Sequence, residues 1–266
     1  MAKASRGVQS IEISGRILAI MAEAARPLML RDIANAVGVP PGRAHPYLVS
    51  LRKIGLVEQD AHAGLYELGP AALQLALAHV DSREPHRTVW RALPDIAAEI
   101  GFGVTMSIWC NLGPIILRTA EVPNQPFTNL RAGSLYSVIT TATGRLFAAF
   151  KTAAEVEAVV ERQKIQVPPN GLEPELDQKA YQKMLHEARL HQASVTTGHP
   201  APGISAVSVP IFNQGRMVAA ITAIGPTQIF DVSEGSEVRA KISAIASRYS
   251  SHCPAVEAKT NKKGKL

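Results

Sequence analysis

Helix, tight turn, helix and hairpin follow one another over residues 28–68, an all-round apolar run opens at Pro70, and strands and helices intermix from about Leu93 onward. Together these observations predict an α+β chain: an N-terminal winged helix-turn-helix, a linker helix and a C-terminal α/β domain. The first helix runs from about Ser10 to Ala25, where Ile13, Ile17, Ile20, Met21 and Ala24 fall on one face. Arg26-Pro27 ends it, because the residue before proline is pushed out of the helical region. Leu30–Val37 forms the next helix, with Ile33, Ala34 and Val37 as its buried stripe and Gly38 as a left-handed C-cap. Met29 stands where a serine or threonine N-cap is expected.

A Pro40-Pro41-Gly42 turn leads into a second helix reaching about Ile54, with Ala44, Leu48, Leu51 and Ile54 as the matching stripe. Pro46 falls inside it. Proline in a helix interior removes a hydrogen bond and clashes with the preceding turn, at a cost of about 3 kcal/mol. The sequence therefore predicts a kink at Pro46 or a helix that begins only near His45. Leu56–Gln59 and Leu65–Leu68 alternate as strands around the loop Asp60–Gly64. This order of elements puts its second helix into the DNA major groove.

Pro70 starts a helix in which Leu73, Leu75, Ala76 and Leu77 spread over much of the circumference. Such a helix is buried on several sides, against a partner subunit or the second domain. The polar break Asp81–Pro85 marks the domain boundary. Beyond it the pattern predicts a helix over Leu93–Gly101 and strands over Val104–Trp109 and Ile115–Glu121, joined by Asn111–Pro114. A short strand follows at Leu130–Arg131, then helices over Ala142–Lys151, Ala153–Gln163 and Leu176–Leu190. Thr196–Gly203 reads as a loop. Ile204–Phe212 and Met217–Ile224 form strands around the hairpin turn Asn213–Arg216. Ser233 caps a last helix to about Ser250, with Glu234 and Glu237 favourable near its start. The sheet is antiparallel.

The 266 residues are 46% hydrophobic and 19% charged, a globular rather than a disordered composition. No apolar run reaches the length of a membrane span, and the N-terminus lacks the apolar stretch of a signal peptide. Cys110 and Cys253 stand far apart, which predicts neither a zinc site nor a disulfide framework and favours a reducing cytoplasm. The net charge of +6 splits into +2 over residues 1–80, +1 over 81–252 and +3 over 253–266. Half of the excess sits in a basic tail with no apolar periodicity, so charge alone supports DNA binding only weakly.

Several segments in this order resemble the IclR family of bacterial transcriptional regulators. They are Val8–Glu12, LRDIANAVGVPPGRAH from Leu30, GLVEQD from Gly55 and LYELGPAAL from Leu65. In the second domain they are RAGSLYSVITTATGRLFAA from Arg131 and GHPAPGISAVSVPIFNQGRMVAAITAIGP from Gly198. The resemblance covers residues 8 to about 250. It implies a DNA-binding domain over 1–69, a linker helix over 70–85 and a GAF-like effector-binding domain over 86–254; composition predicts a disordered basic tail over 255–266. It also implies homodimers or pairs of dimers and regulation by a small metabolite.

At the DNA end, base readers belong on the exposed start of the second helix, which selects Arg43 and His45 with Tyr47 nearby. Arg52 and Lys53 reach toward phosphates and His62 lies in the wing loop. Pro46 stands where similar sequences usually carry arginine or another helix former. At the ligand end, the resemblance carries polar contacts over to the amides of Ala142 and Thr143 and to Thr196, Ala206, Thr222 and Ile224, with Thr140 and Thr141 alongside. Amides at a helix start suit a carboxylate. Ala206 replaces a common cysteine, Ile224 an occasional hydroxyl residue and Ser137 a usual proline. Fewer polar groups imply an aromatic or alicyclic carboxylate, with Leu135, Val138 and Ile139 on its apolar side.

The residues indicate no catalytic set, metal or cofactor. Ser205 and Ser208 lack a GxSxG context, His199 has no evident carboxylate, and the HPAPG segment lacks the lysine of a phosphate loop. Three readings stay open: a ligand-responsive regulator, an effector sensor with DNA binding weakened at Pro46, and an enzyme acting on its ligand.

Overall fold

The computed structural model describes residues 7–24, 26–123, 130–166 and 177–251. Ala25, Leu176, Cys253 and the tail 255–266 lie outside the described residues. The chain divides into two compact units between Ser82 and Arg83.

The first unit runs α1 (Gln9–Ala24), α2 (Leu30–Val37), α3 (Pro41–Lys53), β1 (Val57–Gln59), β2 (Tyr66–Leu68) and α4 (Pro70–Asp81). Ile13, Ile17 and Met21 of α1, Ile33 and Val37 of α2, and Leu48 and Leu51 of α3 share one core with Val57 and Tyr66 of the hairpin. Leu28 exchanges backbone hydrogen bonds of 2.9 and 2.8 Å with Tyr66 and so borders the wing on its inner side. Gly38 adopts φ 77° and gives its amide to the carbonyls of Ala34 and Asn35, which closes α2. Met29 caps α2 without a side-chain bond.

Two expectations for α3 are corrected. Ile54 is the C-cap and is 62% exposed, so the buried stripe ends at Leu51. The helix neither breaks at Pro46 nor starts near His45; it is continuous from Pro41 to Lys53. Ala44 and Leu48 are anchored in the core on either side of the proline, and Pro46 itself faces solvent. The Gly42 carbonyl, which loses its i+4 donor, belongs to a solvent-exposed residue. Tertiary burial here outweighs local propensity.

The second unit contains α5 (His86–Ile100), β3 (Gly103–Cys110), β4 (Gly113–Ala120), α6 (Ala142–Ala149), α7 (Ala153–Gln166), α8 (Gln178–His191), β5 (Ser194–Thr197), β6 (Ile204–Asn213), β7 (Arg216–Pro226) and α9 (Glu237–Tyr249). The strands form one sheet in the order β4-β3-β7-β6-β5, with every neighbouring pair antiparallel. One face carries Val104, Met106, Val207, Val209, Ile211, Ile221 and Ala223 against α5 and α9. The other meets α6, where Leu146 and Phe147 cover Ala220. Helices α7 and α8 form a further apolar layer with α6 and Val138. Gln214 and Gly215 have φ of 49° and 74°, the two left-handed residues a tight β6–β7 hairpin requires.

Four further expectations shift. Helix α5 starts at His86 rather than Leu93. Leu130–Arg131 is not a strand; only Leu135 bridges β4, at Ile115. Ser194–Thr197 pairs with β6 as an edge strand, so the loop begins at Gly198 rather than Thr196. Ser236, not Ser233, caps α9, because Gly235 at φ 85° turns the chain first.

Candidate functional site

Helix α3 presents three distinct faces. Ala44, Leu48 and Leu51 are buried. Arg43 and Tyr47, one turn apart, occupy one flank; His45 and Arg52, two turns apart, occupy the other, beside the wing. The predicted readers Arg43 and His45 are therefore not brought together. Arg52 is tied to the hairpin: its Nη1 donates to Gln59 Oε1 at 2.8 Å, and Gln59 Nε2 donates to the Gly64 carbonyl at 3.2 Å. Lys53 is exposed at the helix end. His62 sits at the wing tip, where Asp60 Oδ1 accepts its amide at 2.9 Å.

At the ligand end, strand register aligns hydroxyl side chains that lie far apart in sequence. Thr119, Thr105, Thr222, Ser208 and Ser194 are successive cross-strand partners through all five strands of the sheet. Directly paired residues share a face, so these hydroxyls form one row on the α6 side. Gly103, Ile224, Ala206 and Thr196 form the next row of that face. Thr143, in the first turn of α6, reaches the sheet: its Oγ1 lies 2.7 Å from Thr222 Oγ1. Thr222 in turn donates to Ser208 Oγ at 2.8 Å, so its proton is committed and Thr143 is the donor to it.

The structure thus joins Thr143 and Thr222 and aligns Thr196, Ala206 and Ile224 beside them. It adds residues that the sequence reading passed over. Tyr136 Oη lies 3.0 Å from Thr105 Oγ1. Burial pushes the Tyr136 phenol up to about 12, so it stays protonated as a donor at neutral pH. Ser107 Oγ is buried on the same face and has no hydrogen-bond partner among the described residues. The alternation of Thr and Ser with apolar residues along β3, β6 and β7 was the available signal.

The start of α6 is fixed by a hydrogen-bonded knot. Thr141 is the N-cap; its Oγ1 accepts from the Gly144 amide at 2.9 Å and donates to the Ser137 carbonyl at 2.7 Å. Ser137 Oγ accepts the amides of Ile139 and Thr140, both at 3.2 Å. The first-turn amides of Ala142 and Thr143 have no intrahelical acceptor and carry the positive end of the helix dipole. Serine at 137 accordingly stabilises the loop. Ser137→Ala strips two amides of their acceptor and is expected to cost about 1–3 kcal/mol, read as a lower melting temperature. An unchanged melting curve would show that water replaces the serine.

Among the described residues no lysine or arginine is hydrogen-bonded to a hydroxyl of the row. The half-buried Arg145 turns from the sheet and donates Nε to the Ile139 carbonyl at 2.7 Å. Ser205 Oγ pairs with Thr227 Oγ1 at 2.9 Å, while His199 is exposed. Burial raises the Cys110 thiol pKa, which lowers its reactivity.

These two sites match family models. One described as the bacterial transcriptional regulator IclR C-terminal domain matches residues 78–251, and one described as the IclR helix-turn-helix domain matches residues 10–61. The chain belongs to the IclR family. It is an IclR transcriptional regulator with a DNA-binding helix-turn-helix and an effector-binding C-terminal domain. Over 223 residues it is 27% identical to the glycerol operon regulatory protein of Streptomyces coelicolor, covering 84% of this chain and 85% of that protein. The IclR regulator from Alicyclobacillus acidocaldarius has the same fold at a TM-score of 0.77 and 23% identity, covering 92% and 98% of the two chains. An IclR homolog from Microbacterium hydrocarbonoxydans, solved as a complex with 4-hydroxybenzoate, aligns at a TM-score of 0.70 with 18% identity and covers 90% and 96%.

Proposed function

We propose that this IclR regulator binds a small aromatic or alicyclic carboxylate over the hydroxyl row and that occupancy changes operator affinity or promoter activation. The carrying observation is the first turn of α6, whose Ala142 and Thr143 amides precede the capped Gly144 amide, held over Thr222 by the Thr143 hydroxyl. A carboxylate there takes the Ala142 and Thr143 amides, and the hydroxyls of Thr143, Thr222 and Tyr136 orient its ring. Thr140, Thr141, Thr196, Ala206 and Ile224 complete the surroundings. The 4-hydroxybenzoate complex of the Microbacterium homolog supports an aromatic acid.

In this reading residues 1–69 bind operator DNA through Arg43, His45, Tyr47, Arg52, Lys53 and His62. Residues 70–85 link this part to the effector domain over 86–254, in a cytoplasmic homodimer or tetramer. The unbroken α3 favours a DNA-binding regulator over a sensor that has lost its DNA. The pairing of Ser205 with Thr227 favours binding over catalysis. Among the described residues no helix is long and apolar enough to cross a membrane.

A second reading, a neutral polyol, is favoured by the row of hydroxyls, none bonded to a described lysine or arginine, and by the likeness to the glycerol operon regulator. Melting curves with 4-hydroxybenzoate, benzoate and glycerol separate the two. A carboxylate at 100 times its Kd raises stability by about 2.7 kcal/mol. Ala142→Pro removes one amide at N1, where proline is tolerated, and Thr141 at φ −96° and ψ 150° suits a following proline. Carboxylate affinity should then fall about tenfold or more, since a hydrogen bond to a charged group is lost. A response to glycerol alone selects the polyol; equal carboxylate binding by Ala142→Pro removes the amide site.

A further inference from the structure

The face of α3 opposite its buried stripe is Gly42, Pro46, Val49 and Lys53, spaced at four, three and four residues. Gly42 and Pro46 are exposed and Val49 is half-buried. This is the face that a helix seated in the major groove turns toward the bases. Over its first two turns it carries no side-chain hydrogen-bond donor. Gly42 has no side chain. Pro46 has neither a side-chain nor a backbone donor, and Val49 offers only methyl groups. The neighbouring Ser50 spends its hydroxyl proton on the Pro46 carbonyl at 2.9 Å. The donors lie on the flanks: Arg43 and Tyr47 on one side, His45 and the wing-tethered Arg52 on the other.

We propose that α3 reads its operator at the centre by apolar contact of Pro46 and Val49 with thymine 5-methyl groups, while the flanking side chains hold the backbone and the edges of the site. The proposal rests on α3 being the helix that enters the groove. Among the base edges of the major groove, only thymine presents a methyl group. Proline and valine together make a convex hydrocarbon surface, and the bare Gly42 lets the start of the helix approach closely. A polar base edge pressed against this surface would lose its water with nothing in return, so the same contact discriminates against guanine and cytosine.

The test uses the full chain and two random duplex pools, one with thymine and one with uracil at every thymine position. Uracil pairs identically and keeps the O4 acceptor, so only the methyl is lost. The expected result is selective enrichment of thymine-containing sites. The selected duplex should lose affinity about fourfold for each contacted methyl removed, the order expected for one buried methyl. Pro46→Arg should abolish this dependence, raise affinity for an unselected duplex and steepen the salt dependence by about one unit in log–log slope. Pro46→Ala, which keeps an apolar surface, should retain the thymine preference. Equal enrichment and affinity in both pools overturns the proposal. So does a methyl dependence that Pro46→Arg leaves intact, which would place its origin in DNA shape. Enrichment from neither pool overturns DNA reading by α3 and the proposal with it.

Discussion

Gly144→Ala is expected to cost about 4 kcal/mol or more and to lower the melting temperature of the second unit by roughly 10 °C. The reason is a backbone contact rather than a backbone angle. A Cβ at residue 144 would lie 2.6 Å from Val138 Cα and closer still to the Ser137 carbonyl oxygen. Neither neighbour is the far end of a flexible side chain. Ser137 O already accepts from Thr141, and Val138 is fully buried, with its carbonyl accepting from Tyr181 Oη at 2.9 Å. The start of α6 would have to lift away from the loop, and with it Thr143 from Thr222. Gly42→Ala provides the matched control. A Cβ there meets nothing within 4 Å, so alanine should stabilise α3 by up to about 1 kcal/mol through helix propensity. Two glycine-to-alanine changes in helices should thus have opposite signs in the same melting experiment. If both are stabilising, the close approach of α6 to residues 137–138 is wrong.

The contrast shows what the sequence could disclose. Helices α1, α2 and α3 each bury a single stripe, and stripes such as Ile13, Ile17 and Met21 carry the period of the helix on their surface. The order of elements was therefore legible before any coordinate. Pro46 misled because propensity is local, whereas Ala44 and Leu48 are fully buried and Leu48 packs with the stripes of α1 and α2. The second unit hides more. Its sheet is covered on both faces, so the alternation of Thr and Ser with apolar residues marks two kinds of buried surface rather than inside and outside. Register, set by the pairing of β3 with β7, β7 with β6 and β6 with β5, turns Thr105, Thr222, Ser208 and Ser194 into one row, and no residue spacing encodes that. Tyr136 and Ser137 join the site from a loop whose resemblance to relatives pointed at the region but not at the bonds. Edge strand β5 was missed because four residues ending in a Gly-His-Pro turn resemble a loop.

Charging α4 is expected to have the largest effect on DNA binding. The helix buries only Val80, while Leu73, Leu75 and Leu77 are 62%, 63% and 44% exposed. Leu73 and Leu77 share one face, and Leu75 projects nearly opposite, so no single neighbour covers all three. Exposed leucines at this density mark an association surface rather than a solvated helix. In the proposed homodimer a second copy covers one of these faces, and Leu73→Asp/Leu75→Asp puts a charge on both. An unpaired carboxylate buried in an apolar interface costs several kcal/mol, so the double variant should run as a monomer in sedimentation. Its operator affinity should fall by about a hundredfold or more, because two half-sites no longer bind as one unit. Salt dependence should flatten as phosphate contacts are halved. The single variants then identify the dimer face: the one that remains dimeric has its charge on the opposite side. A double variant that keeps its mass but melts earlier would instead mean that α4 is covered within its own chain, and the leucines would be core rather than interface.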